Sequence, residues 1–444
     1  MVRLFGTDGV RGIANSELSP ELAFKLGEAA GHFLGDKGRG RIVVGRDTRR
    51  SGDLLEAALV AGICAGGADA LLAGIIPTPA VAHLVRELGA DGGVVISASH
   101  NAPQYNGIKF FSRDGFKLPD DLEDEIETFT EVERDWERPV GAGVGVACHV
   151  EDAVGRYIEH CVHTVDVDLS GLKIALDCGH GAASVASPDA LRRLGAEVVE
   201  INCDYNGLDI NIGSGSTHLG PLTELVLARG ADIGIAHDGD ADRVLAVDET
   251  GAEVDGDMIM AITAAQMQEA GKLPLSTVVS TVMANIGFEL AMRERGITVI
   301  KTKVGDRYVL EQLQTSGAVL GGEQSGHIIF LEHNTTGDGL VTALQLAAVM
   351  KQTGKPLSEL RQVMRRFPQV LVNVPVADKT RLATSAVLAR AVREVESELG
   401  DAGRVLVRAS GTEPLVRVMA EASDQETAAE VVDRLVEVVQ AELG

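Results

Sequence analysis

A hydroxyl, an imidazole and an amide stand together at Ser99-His100-Asn101, directly after the apolar run Val94-Val95-Ile96. A run of β-formers that stops in Ser97-Ala98-Ser99-His100-Asn101 predicts a buried strand delivering a polar loop. A hydroxyl beside a histidine, rooted on a rigid strand, is the layout of an activated nucleophile. The same composition also suits an ordinary Ser/Asn-rich turn. Asn106-Gly107 predicts a further turn, and Ile108-Lys109-Phe110-Phe111 the start of a second strand.

Three carboxylates, Asp238, Asp240 and Asp242, lie between the strand-like runs Ile233-Gly234-Ile235 and Val244-Leu245-Ala246-Val247. On an extended backbone alternate side chains share one face. Three carboxylates on one face repel unless a hard cation joins them, and Mg²⁺ prefers such oxygens. Asp238, Asp240, Asp242 and Glu249 also fit the ligand spacing of an EF-hand calcium loop. Against that, Arg243 stands where the loop needs glycine, and the flanks read as strands rather than helices. A solvated acidic turn is the third reading.

Two further loops offer binding groups. Glu323, Ser325 and His327 sit among glycines in Gly321-Gly322-Glu323-Gln324-Ser325-Gly326-His327, before Ile328-Ile329-Phe330. A carboxylate and a hydroxyl in a tight loop suit sugar hydroxyls, although a plain hairpin has the same appearance. Arg408-Ala409-Ser410-Gly411-Thr412-Glu413-Pro414 follows Val405-Leu406-Val407, with Arg417 just beyond. Two guanidinium forks, two hydroxyls and N–H groups around a glycine can hold a dianion bidentately. A loop with incidental arginines is the alternative.

With the amino-terminal Leu4-Phe5-Gly6-Thr7-Asp8-Gly9-Val10-Arg11-Gly12, these loops resemble, in order, the signature loops of the α-D-phosphohexomutase superfamily. The resemblance runs from Phe5 to about Arg417. The Gly-Glu-Gln-Ser-Gly-His form at 322–327 is similar to the branch acting on glucosamine phosphate. The phosphomannomutase/phosphoglucomutase branch usually carries Met where Gln324 stands. The resemblance implies an isomerase interconverting glucosamine 6-phosphate and glucosamine 1-phosphate, feeding UDP-N-acetylglucosamine synthesis. It implies a phosphoserine at Ser99 rather than Ser97, and a catalytic glucosamine 1,6-bisphosphate. It also implies one Mg²⁺ per chain, on Asp238, Asp240, Asp242 and an oxygen of phosphorylated Ser99. Arg243 would contact the same phosphoryl group, and His100 and Lys109 would orient or balance it. Glu323 and Ser325 would bind the hexose, with His327 as an acid/base. Arg408, Ser410, Gly411, Thr412 and Arg417 would hold the phosphate that is not being transferred. The chain departs from the family pattern at Ala102 and Tyr105, which bears on the shape of the loop tip. A Mg²⁺-dependent sugar phosphatase and a non-catalytic sugar-phosphate sensor are the rival functions; intact Ser99 and three aspartates argue against the sensor.

The elements that must carry these loops follow from the rest of the chain. Its 444 residues suffice for three or four domains, and 45% hydrophobic with 24% charged residues is a globular composition. A formal net charge of −25 argues against nucleic acid and anionic membranes as partners. A sugar phosphate is anionic too, so Arg11, Lys109, Arg243, Arg408 and Arg417 must make a local basic site. The sequence is compatible with a homodimer and does not specify one. Cys64, Cys148, Cys161, Cys178 and Cys203 are scattered without a C-x-x-C pair, a cytoplasmic usage favouring buried thiols over disulfides or zinc. The amino end predicts no signal peptide, and no apolar run is long enough to span a bilayer.

Ser19-Pro20 predicts a helix cap and start, with helical spacing over 21–34. Strand-turn-helix then appears at Arg41, Leu172 and Thr277. Residues 114–136 predict an acidic surface helix with Leu122, Ile126 and Phe129 on its inner face, and 139–146 a Gly-rich hinge. The predicted class is α/β: three related α/β domains with mixed sheets plus a smaller α+β C-terminal domain, and the resemblance implies a central cleft. The expected boundaries are 1–150 (phosphoserine loop), 151–255 (metal), 256–366 (sugar) and 367–444 (phosphate). The last segment predicts helices over 380–399 and 425–443 around two strands.

Overall fold

The computed structural model describes residues 4–6, 8–35, 39–131, 136–410 and 415–444. They form two compact units, one of Met1–Met283 with Gly296–Val363, the other of Ala284–Arg295 with Met364–Gly444. The first unit contains three mixed sheets, and the second an antiparallel one.

Val94, Val95 and Ile96 are fully buried in the strand Gly92–Ile96, at the middle of a six-stranded sheet. Its order is Val10–Ile13, Tyr105–Ser112, Gly92–Ile96, Arg41–Arg46, Asp69–Ile75, Ala147–His149. A strand apolar on both faces must be covered on both. Helices Pro20–Phe33 and Gly52–Ala65 belong to that cover, with Leu26, Leu55, Leu59 and Ile63 in one core with Ile42, Val44, Val94 and Ile96. The two helices touch backbone to backbone. A Cβ on Gly27 would lie 2.1 Å from Leu59 O, and one on Gly62 2.0 Å from Phe24 O. Only glycine allows that approach at either position.

The second sheet runs Glu253–Val254, Val244–Asp248, Ile233–His237, Lys173–Asp177, Glu197–Ile201. The third runs Thr298–Thr302, Thr277–Thr281, Leu320–Gly322, Ile328–Phe330. Each places a polar loop where a buried strand ends. Ser19 caps the first helix by accepting from Leu22 N at 3.3 Å, as the sequence predicts.

Several local expectations need correction. Asn106-Gly107 is not a turn, because the strand Tyr105–Ser112 already contains it. Asn106 donates its amide to Ser51 Oγ at 2.9 Å, and Arg11 pairs across the sheet with Gly107. The turn falls instead at 103–104, closed by Tyr105 N donating to Ala102 O at 3.1 Å. The acidic helix spans Asp120–Glu131 rather than 114–136, with Ile126 and Phe129 inward as expected; 132–135 lie outside the described residues. The helix expected over 380–399 begins at Ala386, after a 3-10 turn at Lys379–Ala383. No helix among the described residues is long and apolar enough to cross a membrane.

In the second unit Gln369–Pro375, Leu415–Glu421 and Arg404–Ala409 form the sheet, backed by helices Ala386–Leu399 and Gln425–Leu443. The helix Ile286–Glu294 belongs to this unit, although its position in the chain reads as part of the preceding segment. Glu421 ties it in. This fully buried carboxylate accepts from Arg404 Nε at 2.7 Å, Gln369 Nε2 at 3.0 Å and Ile286 N at 2.7 Å. Arg404 also donates to Ala284 O. Removing one partner of a buried ion pair leaves an uncompensated charge. Arg404→Met is therefore expected to destabilise this unit by about 3 kcal/mol. Hydrogen exchange should accelerate in 284–295 and 364–444 and not around Ser99; unchanged exchange there would contradict the account.

Candidate active site

Ser97 Oγ donates to Asp47 Oδ2 at 2.6 Å and accepts from Ser99 N at 2.9 Å, so the carboxylate after one strand fixes the loop after its neighbour. Ser99 adopts φ +50°, a left-handed conformation that a side chain disfavours, and is only 1% exposed. Ser99 itself is thus withdrawn from solvent, while the tip of its loop at Ala102 and Gln104 is exposed. Ser99 Oγ donates to Asp238 Oδ2 at 2.6 Å and lies 3.4 Å from His100 Nδ1. Burial, then the charges of Arg243 and Arg11, lowers the His100 pKa to about 4, leaving the ring neutral near pH 7.

The acidic residues are not on an extended strand. The strand Ile233–His237 ends just before them, and Ala241 turns the chain at φ +57°. That turn, rather than strand alternation, gathers Asp238, Asp240 and Asp242, each with a ligand oxygen within 4.8 Å of the others'. Gly239 must be glycine, because a Cβ there would sit 2.7 Å from Ser99 O. Glu249 is bonded to Ser358 instead, its Oε2 accepting from the Ser358 N–H at 3.2 Å, so the calcium-loop spacing is not used.

Lys109 Nζ stands among these acids, 3.0 Å from Asp240 Oδ2, 3.6 Å from Asp242 Oδ2 and 2.9 Å from Asp8 Oδ2. Burial alone would lower the lysine pKa, but Asp240, Asp8 and Asp242 outweigh it and hold the ammonium charged. Asp240 is pushed up by burial and pulled further down by Lys109 and by a 2.6 Å hydrogen bond from Thr78 Oγ1. Asp238 goes the other way: burial, then Asp242 and Asp240, raise it well above the carboxylate range.

These residues fit a hard divalent cation. The donors are carboxylate oxygens, and Asp240 Oδ1 and Asp242 Oδ1 are buried with no hydrogen-bond partner among the described residues. A cation there would also reverse the repulsion that raises Asp238.

Asp8 links this centre to the sugar-loop side. It takes Lys109, Arg11 and, at 2.6 Å, Lys117; Lys117 bridges on to Asp306, whose Oδ2 lies 3.6 Å from His327 Nε2. Burial pushes Asp8 up, but Lys109, Lys117 and Arg11 hold it well below the usual range. Arg243 N donates to Asp238 Oδ1 at 3.2 Å, and its guanidinium Nε is 3.8 Å from Asp242 Oδ1. Glu323 opens the hairpin between Leu320–Gly322 and Ile328–Phe330, and its Oε1 accepts from Gly305 N at 3.0 Å. Ser325 is exposed at the tip, whereas His327 is buried.

In the second unit, Arg408 and Arg417 face each other as a cross-strand pair, with Ser410 buried beyond them. Like charges directly opposite destabilise a sheet unless an anion compensates. Burial, then Arg417, lowers the Arg408 pKa. Lys379 Nζ donates to Ser410 O at 2.7 Å, adding a third cation. Gly411 and Thr412 lie outside the described residues.

The phosphoglucomutase/phosphomannomutase alpha/beta/alpha domains I, II and III match residues 2–135, 155–251 and 255–367, and the C-terminal domain of the same family matches 371–438. The chain belongs to that family. It is an isomerase of the phosphohexomutase type, three α/β domains and a C-terminal domain. This phosphohexomutase is 56% identical to a phosphoglucosamine mutase of Streptomyces avermitilis over 452 residues, covering both chains completely. It is 54% identical to one of Desulforamulus reducens over 441 residues, covering 99% of each. Among solved structures, a phosphoglucomutase/phosphomannomutase family protein of Burkholderia thailandensis matches with TM-score 0.82 at 25% identity, covering 100% of this chain and 98% of that one. An N-acetylphosphoglucosamine mutase of Aspergillus fumigatus shares the fold, with TM-score 0.69 at 18% identity and coverage of 100% and 96%.

Sequence reasoning missed residues that hydrogen-bond to these loops in this phosphohexomutase: Asp47, Arg49, Thr78, Lys117, Asn211 and Asp306. Asp47 and Arg49 sit in the polar Gly45-Arg46-Asp47-Thr48-Arg49 strand end, and Asp306 in the polar loop after another strand. Those strand ends were the available signal. Nothing in the sequence marks Asn211.

Proposed function

We propose that the chain interconverts glucosamine 6-phosphate and glucosamine 1-phosphate through phosphorylated Ser99 and a glucosamine 1,6-bisphosphate. The observation that carries the chemistry is the 2.6 Å contact between Ser99 Oγ and Asp238, within a buried acidic triad of which two oxygens have no hydrogen-bond partner among the described residues. The names of the full-length relatives and Gln324 carry the choice of hexose.

Asp238, Asp240 and Asp242, with an oxygen on Ser99, would hold one Mg²⁺, which when bound supplies positive charge to phosphoryl oxygens. In the forward half-reaction the bond from phosphorus to Ser99 Oγ breaks as one forms to the free sugar hydroxyl, whose proton leaves to a base. The bisphosphate turns around and returns its other phosphate to Ser99. Lys109, Arg243 and Arg11 bring cationic charge to the transferring group, and neutral His100 stands beside Oγ to hold or orient a proton. Glu323 and Ser325 serve the sugar hydroxyls, with His327 as acid/base. Arg408, Ser410, Gly411, Thr412 and Arg417 hold the resting phosphate in either orientation. The segments 1–150, 151–255, 256–366 and 367–444 divide these tasks. All five cysteines are free, which suits a reducing cytoplasm.

A coupled assay with glucosamine, glucose and mannose phosphates tests the substrate. The expected kcat/KM favours glucosamine phosphate by at least about tenfold, the range that a single polar contact can supply. Equal use of all three would defeat the substrate assignment. Accumulation of inorganic phosphate in place of isomerised sugar would make the chain a phosphatase.

A further inference from the structure

Arg49 is fully buried, and every donor of its guanidinium is engaged. Nε donates to Asp47 Oδ2 at 2.9 Å. The other four bonds reach into the Ser99 loop: Nη2 donates to Ser99 O at 2.9 Å and Asn101 O at 2.7 Å, Nη1 to Ala102 O at 2.6 Å and Tyr105 O at 3.0 Å. A guanidinium has five N–H donors in a rigid fork, so this one is saturated. Asn211, from another part of the chain, grips two of the same carbonyls, with Nδ2 2.9 Å from Ser99 O and 3.0 Å from Asn101 O.

The carbonyls of a loop that connects two buried strands must be paired somewhere, or they cost desolvation energy. Here they converge on one cation and one amide. Lysine could not replace this arginine, because an ammonium has three donors and no planar fork. The same loop holds Ser99 at a disfavoured positive φ, which persists only where surroundings over-determine it. Ser97 Oγ fixes the amide side of Ser99 through Asp47, and Arg49 fixes Asp47 as well, its backbone N–H donating to Oδ1 at 2.9 Å.

We infer that Arg49 and Asn211 are positioning residues for phosphoryl transfer: a clamp that acts through the backbone of Ser99 and holds its Oγ against the acidic triad. The inference rests on the reading of Ser99 as the phosphoryl carrier. Among the described residues neither side chain hydrogen-bonds to Asp238, Asp240 or Asp242, although Asn211 Nδ2 lies against Gly239 between them. Their removal should therefore spare substrate binding and impair the transfer step.

The test measures kcat and KM separately for Arg49→Lys, Arg49→Met and Asn211→Ala, with thermal melting of each and Ser99→Ala as control. Displacement of a reacting group by about 1 Å costs on the order of a hundredfold in rate. Arg49→Lys should thus lose about a hundredfold in kcat, with KM for the sugar phosphate changed less than about threefold. Arg49→Met should lose more, because it keeps neither charge nor donors. Asn211→Ala should lose roughly tenfold, again in kcat, and it decides the matter if the arginine variants do not fold. Wild-type kcat in folded Arg49→Lys and in Asn211→Ala, with Ser99→Ala inactive, would overturn the clamp and leave the carrier assignment standing. Activity in Ser99→Ala would overturn the carrier assignment itself.

Discussion

Ser99→Ala is expected to lower turnover by roughly four to six powers of ten, the scale seen when a lone nucleophile is removed from a preorganised site. Fold should survive. The substitution deletes one hydroxyl whose hydrogen bond to Asp238 is worth about 1–2 kcal/mol net, and the backbone clamp from Ser97, Arg49 and Asn211 does not use that hydroxyl. Intact-mass measurement after incubation with a hexose bisphosphate gives a second readout: wild type should gain one phosphoryl group and the variant none. Near-normal turnover in the variant would falsify the assignment. Ser97 would not be a ready substitute, since its Oγ is committed between Asp47 and the Ser99 amide.

Loss of the metal is the second large effect. Chelation should abolish turnover, and Mg²⁺ should restore it. Asp240→Asn should reduce kcat at least about a thousandfold, comparable with removing a principal charge-stabilising group. Asp240 carries two duties, since one oxygen takes Lys109 and Thr78 while the other has no hydrogen-bond partner among the described residues. An amide keeps the size but removes the charge that both a cation and Lys109 require. Direct Mg²⁺ titration of wild type and variant, by calorimetry without substrate, separates binding from catalysis. Calcium should bind yet support turnover poorly, because its looser coordination holds in-line geometry less well. Full activity in thoroughly chelated enzyme, or saturable Mg²⁺ binding equal in wild type and Asp240→Asn, would remove the aspartates from the metal site.

The candidate loops were legible because each interrupts a buried strand. Val94-Val95-Ile96 ahead of Ser99 and Ile233-Gly234-Ile235 ahead of Asp238 mark where an apolar run must stop. Composition therefore located the residues, but not their conformation. Asp238, Asp240 and Asp242 converge through a left-handed Ala241, which no side-chain alternation encodes. The Asn-Gly pair at 106–107 signals a turn locally, and tertiary pairing with Val10–Ile13 overrides that preference. Arg49 could be read as one more polar residue at a strand end. Its acceptors are main-chain carbonyls some fifty positions away, and carbonyls are the same at every residue. The helix Ile286–Glu294 has the same apolar spacing whichever neighbours it packs against, so periodicity identified the helix and not its unit.

Glu421 and Arg404 reach back to Ala284 and Ile286, so the smaller unit is built from two stretches separated in the chain. This bears on biosynthesis. As the polypeptide leaves the ribosome, 284–295 emerge before the strands that satisfy them have been made. Phe288, fully buried in the finished protein, lies on a helix whose compact unit is completed only by 364–444. A nascent chain arrested after Val363 would display that helix, making it a natural handle for chaperones or proteases. For the same reason, a fragment cut at 364 for separate expression would start without Asn285, whose amide donates to Phe367 O at 3.0 Å and whose Oδ1 accepts from the Phe367 amide at 3.0 Å. The smaller unit is portable only if 284–295 travel with it.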